Sequence, residues 1–420
     1  MTFWQKIKIV FKDKVIRKKI LFVLFILAVF RLLAAVPIPG VDIFRLQGFL
    51  ADNQFLGLLN IFSGGGLSAL SIVMMGVGPY ITGSIIMQLL TLMSPRLKSM
   101  YHEEGQAGRM KFSQYSRILT VPLALIQGYA LITILTQQGV MEALTAYEMA
   151  VALIVAAAGS MFLTWLGELI SERGIGNGVS VIIFAGIIAA LPSQVNQLIF
   201  TYDPSLLLTY IAFVVVALVI IAGVILVTEA ERLLPITYAK QARASGMGQS
   251  SYLPLRINQA GVMPVIFALS ILLFPQLLAN VFVAADSVGL QNIGQGILKF
   301  LQSTWQYSVV YFVLVFLFTY FYTAITFDPE SVATNLQKNG AFVPGIRPGL
   351  STTEYIGKIV SRITFMGAIF LGLVAVLPVI MQKATGISTL ALGGTALLIV
   401  VSVILDILKK VDGQVSMRQY

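Results

Sequence analysis

The chain has no cysteine and a single histidine, His102, in 420 residues. Disulfides, thiol nucleophiles and thiolate metal sites are excluded, and one histidine in a polar loop leaves zinc or haem without a ligand set. Charge is scarce too: 11% of residues are Asp, Glu, Lys or Arg, against about 25% in a soluble globular domain. The usual catalytic sets are missing. Gly357-Lys358 is followed by Ile359 and has no upstream glycine, so it is no phosphate-binding Walker A loop. There is no HExxH and no Ser-His-Asp set. An enzyme is not expected, nor any cofactor, and energy drawn from a nucleotide would have to come through a partner. Carboxylates within the apolar stretches are lacking as well. Glu168, Glu229 and Asp406 lie at their ends, and Arg31 is the one charge clearly inside, where it snorkels or finds a partner. That weakens a proton-coupled mechanism.

What the chain does have is apolar length: 57% of its residues are hydrophobic. Ten apolar spans fall near 20–36, 72–93, 118–138, 150–170, 178–199, 206–228, 260–283, 306–326, 356–380 and 387–408, each close to the ~20 residues a helix needs to cross a bilayer. The expectation is an all-α polytopic membrane protein with ten transmembrane helices. The net charge of +10 follows that topology rather than a nucleic-acid footprint. Twenty-four Lys and Arg fall on one side, and only Arg45, Lys299 and Lys383 on the other. Positive residues mark the cytoplasmic side, so both termini are expected there. The basic start and Ala34-Ala35 have the look of a signal peptide. However, Pro37-Ile38-Pro39-Gly40 follows at once and the alternation needs this helix, so it is read as the first span.

The apolar run from Phe55 to Met93 is 39 residues long, too many for one span and barely enough for two. Inside it stands Asn60-Ile61-Phe62-Ser63-Gly64-Gly65-Gly66-Leu67-Ser68-Ala69-Leu70-Ser71. Bare backbone cannot face lipid, so this broken stretch is expected to be buried in protein or to line a cavity. Gly174-Ile175-Gly176-Asn177-Gly178 is also glycine-rich. It follows an acidic loop rather than a strand and reads as a tight turn into span 5.

Two long loops on the basic side, 228–258 and 327–361, mix charge, Gly, Pro and apolar residues; ordered loops that dock a partner suit that mixture better than disordered linkers. Five spans on each side of a boundary near 200 suggest two halves, 1–200 and 201–420. An odd number of spans per half makes the second half insert upside down, the geometry of inverted repeats. An inverted-repeat transporter of a small solute is therefore one reading. Val77 and Ile81, and Val179 and Ile183, are pairs four residues apart that share a helix face. Two such pairs could form layers of an aliphatic constriction that gates by dewetting, or be ordinary core. Gln88 and Asn258 are uncharged polar groups beside apolar helices, either bonded between helices or placed at a seam that opens.

Several of these stretches carry a resemblance. Val36-Pro37-Ile38-Pro39-Gly40, Phe62-Ser63-Gly64-Gly65, Gly78-Pro79-Tyr80, Trp165-Leu166-Gly167-Glu168 and the run from Glu172 to Gly178 are similar to the bacterial SecY family, the channel subunit of the protein-secretion translocon. So are the runs from Asn258 to Pro264 and from Gly340 to Gly349. The resemblance implies two inverted five-helix halves around an hourglass pore, with Asn60–Ser71 as a re-entrant plug. It implies a hydrophobic pore ring of Val77, Ile81, Val179, Ile183, Ile266 and Ile399. Spans 2, 3, 7 and 8 would form a lateral gate for signal sequences and membrane helices, with Gln88 and Asn258 in its polar part. Lys240, Arg243 and Arg347 would serve the loops that dock the SecA motor or the ribosome, ribosomal RNA being the only nucleic acid touched; SecE and SecG would complete the complex in the bacterial plasma (inner) membrane. The function implied is conduction of unfolded secretory polypeptides and lateral release of transmembrane segments into lipid. Glycines would let the plug shift at low conformational cost. Two departures stand out: Leu32-Leu33 where the family often has glycine, and a 6/7 tip, Lys240 to Gln249, with few basic residues.

Overall fold

The computed structural model describes residues 12–38, 46, 59–60, 63–102, 104–142, 144–200, 207–238, 251–283, 287–385 and 388–416. A helix falls in each of the ten expected spans: α1 (Lys14–Ala34), α2 (Gly78–Met93), α4 (Gly105–Gln137), α5 (Ala146–Arg173), α6 (Gly178–Phe200), α7 (Leu207–Glu229), α8 (Met263–Val283), α10 (Thr304–Thr326), α12 (Leu350–Thr385) and α13 (Ser388–Ser416). Three more, α3 (Pro95–His102), α9 (Val288–Gln302) and α11 (Pro329–Lys338), lie between them. Among the described residues, six helices are long and apolar enough to cross a membrane, while α2 and the apolar part of α6 are shorter. The count of ten crossings thus rests on the sequence pattern.

Helix ends follow from local chemistry. Asp13 caps α1, its carboxylate accepting from the amides of Val15 and Ile16 at 2.7 and 3.3 Å. Thr145 and Glu148 form a reciprocal capping box on α5. Asp328 caps α11 with Pro329 in the first turn, where a missing N–H costs nothing. The expected span 72–93 is corrected in its first part: residues 72–77 are turns, and the helix begins at Gly78. Gly76 turns left-handed there, at φ 57°. At 16 residues α2 is only ~24 Å long.

The loops carry strands that the helical reading did not anticipate. β1 (Glu231–Tyr238) pairs antiparallel with β2 (Ser251–Arg256) and, at Thr237 and Tyr238, with β3 (Ala341–Phe342). Alternate residues Leu234 and Ile236 point inward, onto Ile356, Ile359, Val360 and Ile363 of α12. Those four recur at one helix face, so sheet and helix share a small core.

Helices 1, 2, 4, 5 and 6 meet 7, 8, 10, 12 and 13 chiefly at two seams: α8 against α2 and α4, and α6 against α13. Between the seams lies the largest apolar cluster.

Candidate functional site

Side chains from four elements enter that central cluster. Val77 caps α2, and its carbonyl still accepts from Ile81 at 3.0 Å, so the two keep one face. Ile183 comes from α6, Ile266 from the first turn of α8, and Ile399 from α13. None of the five is more than 5% exposed, and Val179 packs half-buried against them. The six expected residues are therefore brought into one buried aliphatic body.

On the side of the basic loops this body faces a cavity of about 220 Å³. Ile81, Val179, Ile183 and Ile266 line it, with Tyr80, Gln88, Glu168, Asn177 and Tyr322 among the polar walls. A neighbouring cavity of about 280 Å³ shares Asn177, Ser180, Met263 and Tyr322 and continues to Arg256, Asn258, Asp406 and Lys409. The walls are braced by ion pairs. Arg117 of α4 lies 2.9 Å from Glu168 of α5, which also accepts from Ser113 at 3.1 Å. Lys409 of α13 lies 3.0 Å from Glu229 of α7 and donates to the Thr228 carbonyl. Gln88 and Asn258 stand on adjoining cavities rather than on one, and Asn258 precedes α8 instead of lying in it. Each has a buried side-chain oxygen with no partner among the described residues, as does Gln259.

On the far side lies the glycine-rich segment; Ile61 and Phe62 are outside the described residues. Its hydrogen bonds close on themselves. Ser63 Oγ donates to the Asn60 carbonyl and accepts from the Leu67 amide. Asn60 Oδ1 accepts from the Ser68 amide, Ser68 Oγ donates to the Gly65 carbonyl, and Ser71 Oγ to that of Gly66. A short antiparallel bridge, Ile38 N–H to Leu70 and Ile72 N–H to Val36, ties it to the chain leaving α1. Leu67 and Leu70 are fully buried in a second cluster with Leu131 and Leu135 of α4 and Leu277 of α8. Leu70 takes φ 41°, a left-handed conformation costing a non-glycine residue ~1–2 kcal/mol. Burying its side chain returns ~1.5–3 kcal/mol, so packing outweighs the strain.

The glycines have a use beyond backbone freedom. A side chain on Gly64 would run into the Phe30 ring, and the Gly64 backbone leaves no room for a Cβ on Gly186 of α6. That contact also orders the site along its axis. From the start of α6 onward, Asn177 just before it and Ser180 reach the cavity, Ile183 the aliphatic body, and Gly186 the glycine-rich segment. At 1.5 Å per residue the last two are ~4.5 Å apart. Phe30, Gly186 and Arg31, whose Nη1 donates to the Gly64 carbonyl at 3.2 Å, were missed as site residues.

Between α5 and α6, residues 174–176 bend tightly and Gly178 opens α6, as the turn reading expects. Gly178 packs on the Gly167 backbone, and its amide donates to Ser171 Oγ at 2.8 Å. Arg347 lies exposed after β3, its carbonyl accepting from Thr352 Oγ1 at 2.8 Å. Lys240 and Arg243 fall outside the described residues.

The sequence profile of the SecY family matches residues 71–408. The protein translocase subunit SecY of Corynebacterium glutamicum is 39% identical, with 98% of this chain and 97% of that protein covered. Its counterpart in Synechocystis is 40% identical over 96% and 93%. That of Thermotoga maritima is 39% identical over 99% and 97%. Among solved structures, a protein-conducting channel superposes with TM-score 0.65 at 17% identity, covering 94% of this chain and 91% of that one. Sec61 from a canine ribosome–channel complex superposes with TM-score 0.58 at 16% identity and the same coverage. The structural likeness shows the fold, and nothing in these relatives supports a solute transporter. The chain belongs to the SecY family of protein translocase subunits.

Proposed function

We propose that polypeptides pass through the aliphatic body at the centre of the chain and that Asn60–Ser71 seals it as a plug when the channel is idle. The observation that carries this reading is the axial order on α6: polar cavity, buried aliphatic layer, glycine-rich segment. Val77, Ile81, Val179, Ile183, Ile266 and Ile399 act as the ring. Aliphatic contact is not directional, so such a ring closes around many sequences; empty, it stays dry and resists ions.

In this reading residues 1–200 and 201–420 are inverted halves that part at the seam of α8 with α2 and α4. Gln88 and Asn258 belong to that seam, where signal sequences and apolar segments leave, since ~20 apolar residues are more stable in lipid than in a wet pore. The basic face is cytoplasmic, with both termini there, in a bacterial plasma membrane. The small sheet, with Arg347 exposed beside it and Lys240 and Arg243 in the same loop system, docks the SecA motor or the ribosome, and SecE and SecG complete the translocon. R347E is expected to stop motor-driven export of a purified precursor into vesicles while leaving the protein folded; normal export would remove Arg347 from the docking surface.

The decisive experiment uses the absence of native cysteine. V77C, I183C and I266C are introduced singly and a secretory chain carrying one cysteine is stalled during export. Disulfide crosslinks at all three positions are expected. A stalled chain that never crosslinks to any of them would falsify the pore assignment.

A further inference from the structure

We propose that Arg31 is the latch of the closed channel, positioning the plug through the carbonyl of Gly64; the proposal rests on the plug reading above. Arg31 lies inside the expected span 20–36. It occupies the last turn of α1, where the negative end of the helix dipole favours a cation. Its Nη1 donates to the Gly64 carbonyl at 3.2 Å, and the position a side chain on Gly65 would take lies 3.4 Å from the same nitrogen. The preceding residue, Phe30, is fully buried directly against Gly64. Adjacent residues of one helix thus grip the same glycine, Phe30 by its ring and Arg31 by its charge, while Gly186 blocks the remaining side.

Three physical points make this grip a latch rather than incidental contact. A guanidinium hydrogen bond to a carbonyl is charge-assisted and stronger than a neutral one. Within a membrane a cation keeps its polar partners because lipid offers none in exchange. Arg31 also grips the segment between its two left-handed glycines, Gly64 at φ 66° and Gly65 at φ 85°. Those are the residues whose backbone can turn most freely. The bond therefore restrains the place where the segment would otherwise bend away. Arg31 itself is exposed. A guanidinium has five N–H donors, so it can exchange the Gly64 carbonyl for a backbone carbonyl or carboxylate of an arriving polypeptide. Release of the plug and engagement of the substrate would then be one exchange of partners.

The test compares R31M, which keeps an apolar stem without the donor, with the parent chain in full-length form. Two readouts are taken. One is ion conductance in planar bilayers without substrate. The other is labelling of A69C, the sole cysteine, by a membrane-impermeant maleimide. R31M is expected to raise both about tenfold, equal to ~1.4 kcal/mol of closed-state preference. Should R31M fail to insert, R31Q, too short to reach Gly64, carries the test with the same outcomes. Parent-level conductance and labelling in the variant, beside a leaking I81S/I183S control, overturns the latch and leaves the channel reading standing. A control that never conducts overturns the channel reading itself.

Discussion

On the two sides of the aliphatic body polar groups are treated differently. In the glycine-rich segment Asn60, Ser63, Ser68 and Ser71 all find hydrogen-bond partners within the segment. By the cavities, Gln88, Asn258 and Gln259 each keep a buried oxygen with no partner among the described residues. An unmet buried acceptor costs ~1–3 kcal/mol, whereas a satisfied one contributes ~1 kcal/mol. In the closed state proposed above, hydrogen bonds between protein groups therefore concentrate at the segment and are sparse at the seam. Opening the seam gives up little polar bonding, while moving the segment breaks its ties to the end of α1, the Arg31–Gly64 bond and the bridge at Ile38 and Ile72. The barrier that keeps the channel shut is expected to sit at the segment.

The largest test of that contrast is G64V. A branched side chain at φ 66° is strained by ~1–3 kcal/mol, and overlap with the Phe30 ring adds ~1–3 kcal/mol. The sum shifts closure by roughly 30-fold or more, seen as standing ion conductance in planar bilayers. A tight G64V channel would mean that the segment does not need its seat. Next comes I81S/I183S, which places two hydroxyls in the aliphatic body. Water then enters a constriction that was dry, and resting conductance rises about tenfold. Unchanged conductance would remove both residues from the ring.

These contrasts were unequally legible in the sequence. Helices stood out because each is an apolar run near membrane length, and Val77, Ile81, Val179 and Ile183 because helical spacing puts each pair on one face. The sheet did not: Pro235 and Pro254 stand inside its strands. Proline cannot donate to a ladder and argues against a strand. The structure tolerates Pro235 because β3 pairs only with Thr237 and Tyr238, beyond it. Asn60–Ser71 was visible as a break in an apolar run, but its glycines read only as freedom. That Gly186 needs to be small depends on Gly64, 122 positions away, and no local pattern carries such a contact. Arg31 announced itself as a charge inside a span, yet its partner is a backbone carbonyl, which has no side-chain signature.

At the seam the expected effects are of opposite sign. Q88L removes an oxygen with no partner among the described residues and is expected to favour the closed seam by ~1–3 kcal/mol. N258L should gain less, because Asn258 Nδ2 also donates to the Gly261 carbonyl at 3.2 Å, and losing that bond returns ~1 kcal/mol. The readout is export of precursors whose signal segments are progressively less apolar. Q88L should demand a more apolar signal than N258L, and N258L one slightly more apolar than the parent. The reverse order, or export of weaker signals by Q88L, would show that these amides hold the seam shut.

The smallest effect belongs to the mouth of the outer cavity. Lys409 and Glu229 form a 3.0 Å pair with side chains 25% and 48% exposed. Pairs so open to water are worth at most ~1 kcal/mol and fade with salt. K409M should move thermal unfolding by less than that, and resting conductance by no more than about twofold. The residual change should shrink further at high ionic strength. Because the pair ties α13 to α7 and touches neither the glycine-rich segment nor the seam amides, K409M isolates electrostatics at the mouth from closure below it. If K409M changed resting closure as much as Q88L, the bond-rich segment and the bond-poor seam would not be what sets the closed state. Control would then lie with charge at the entrance.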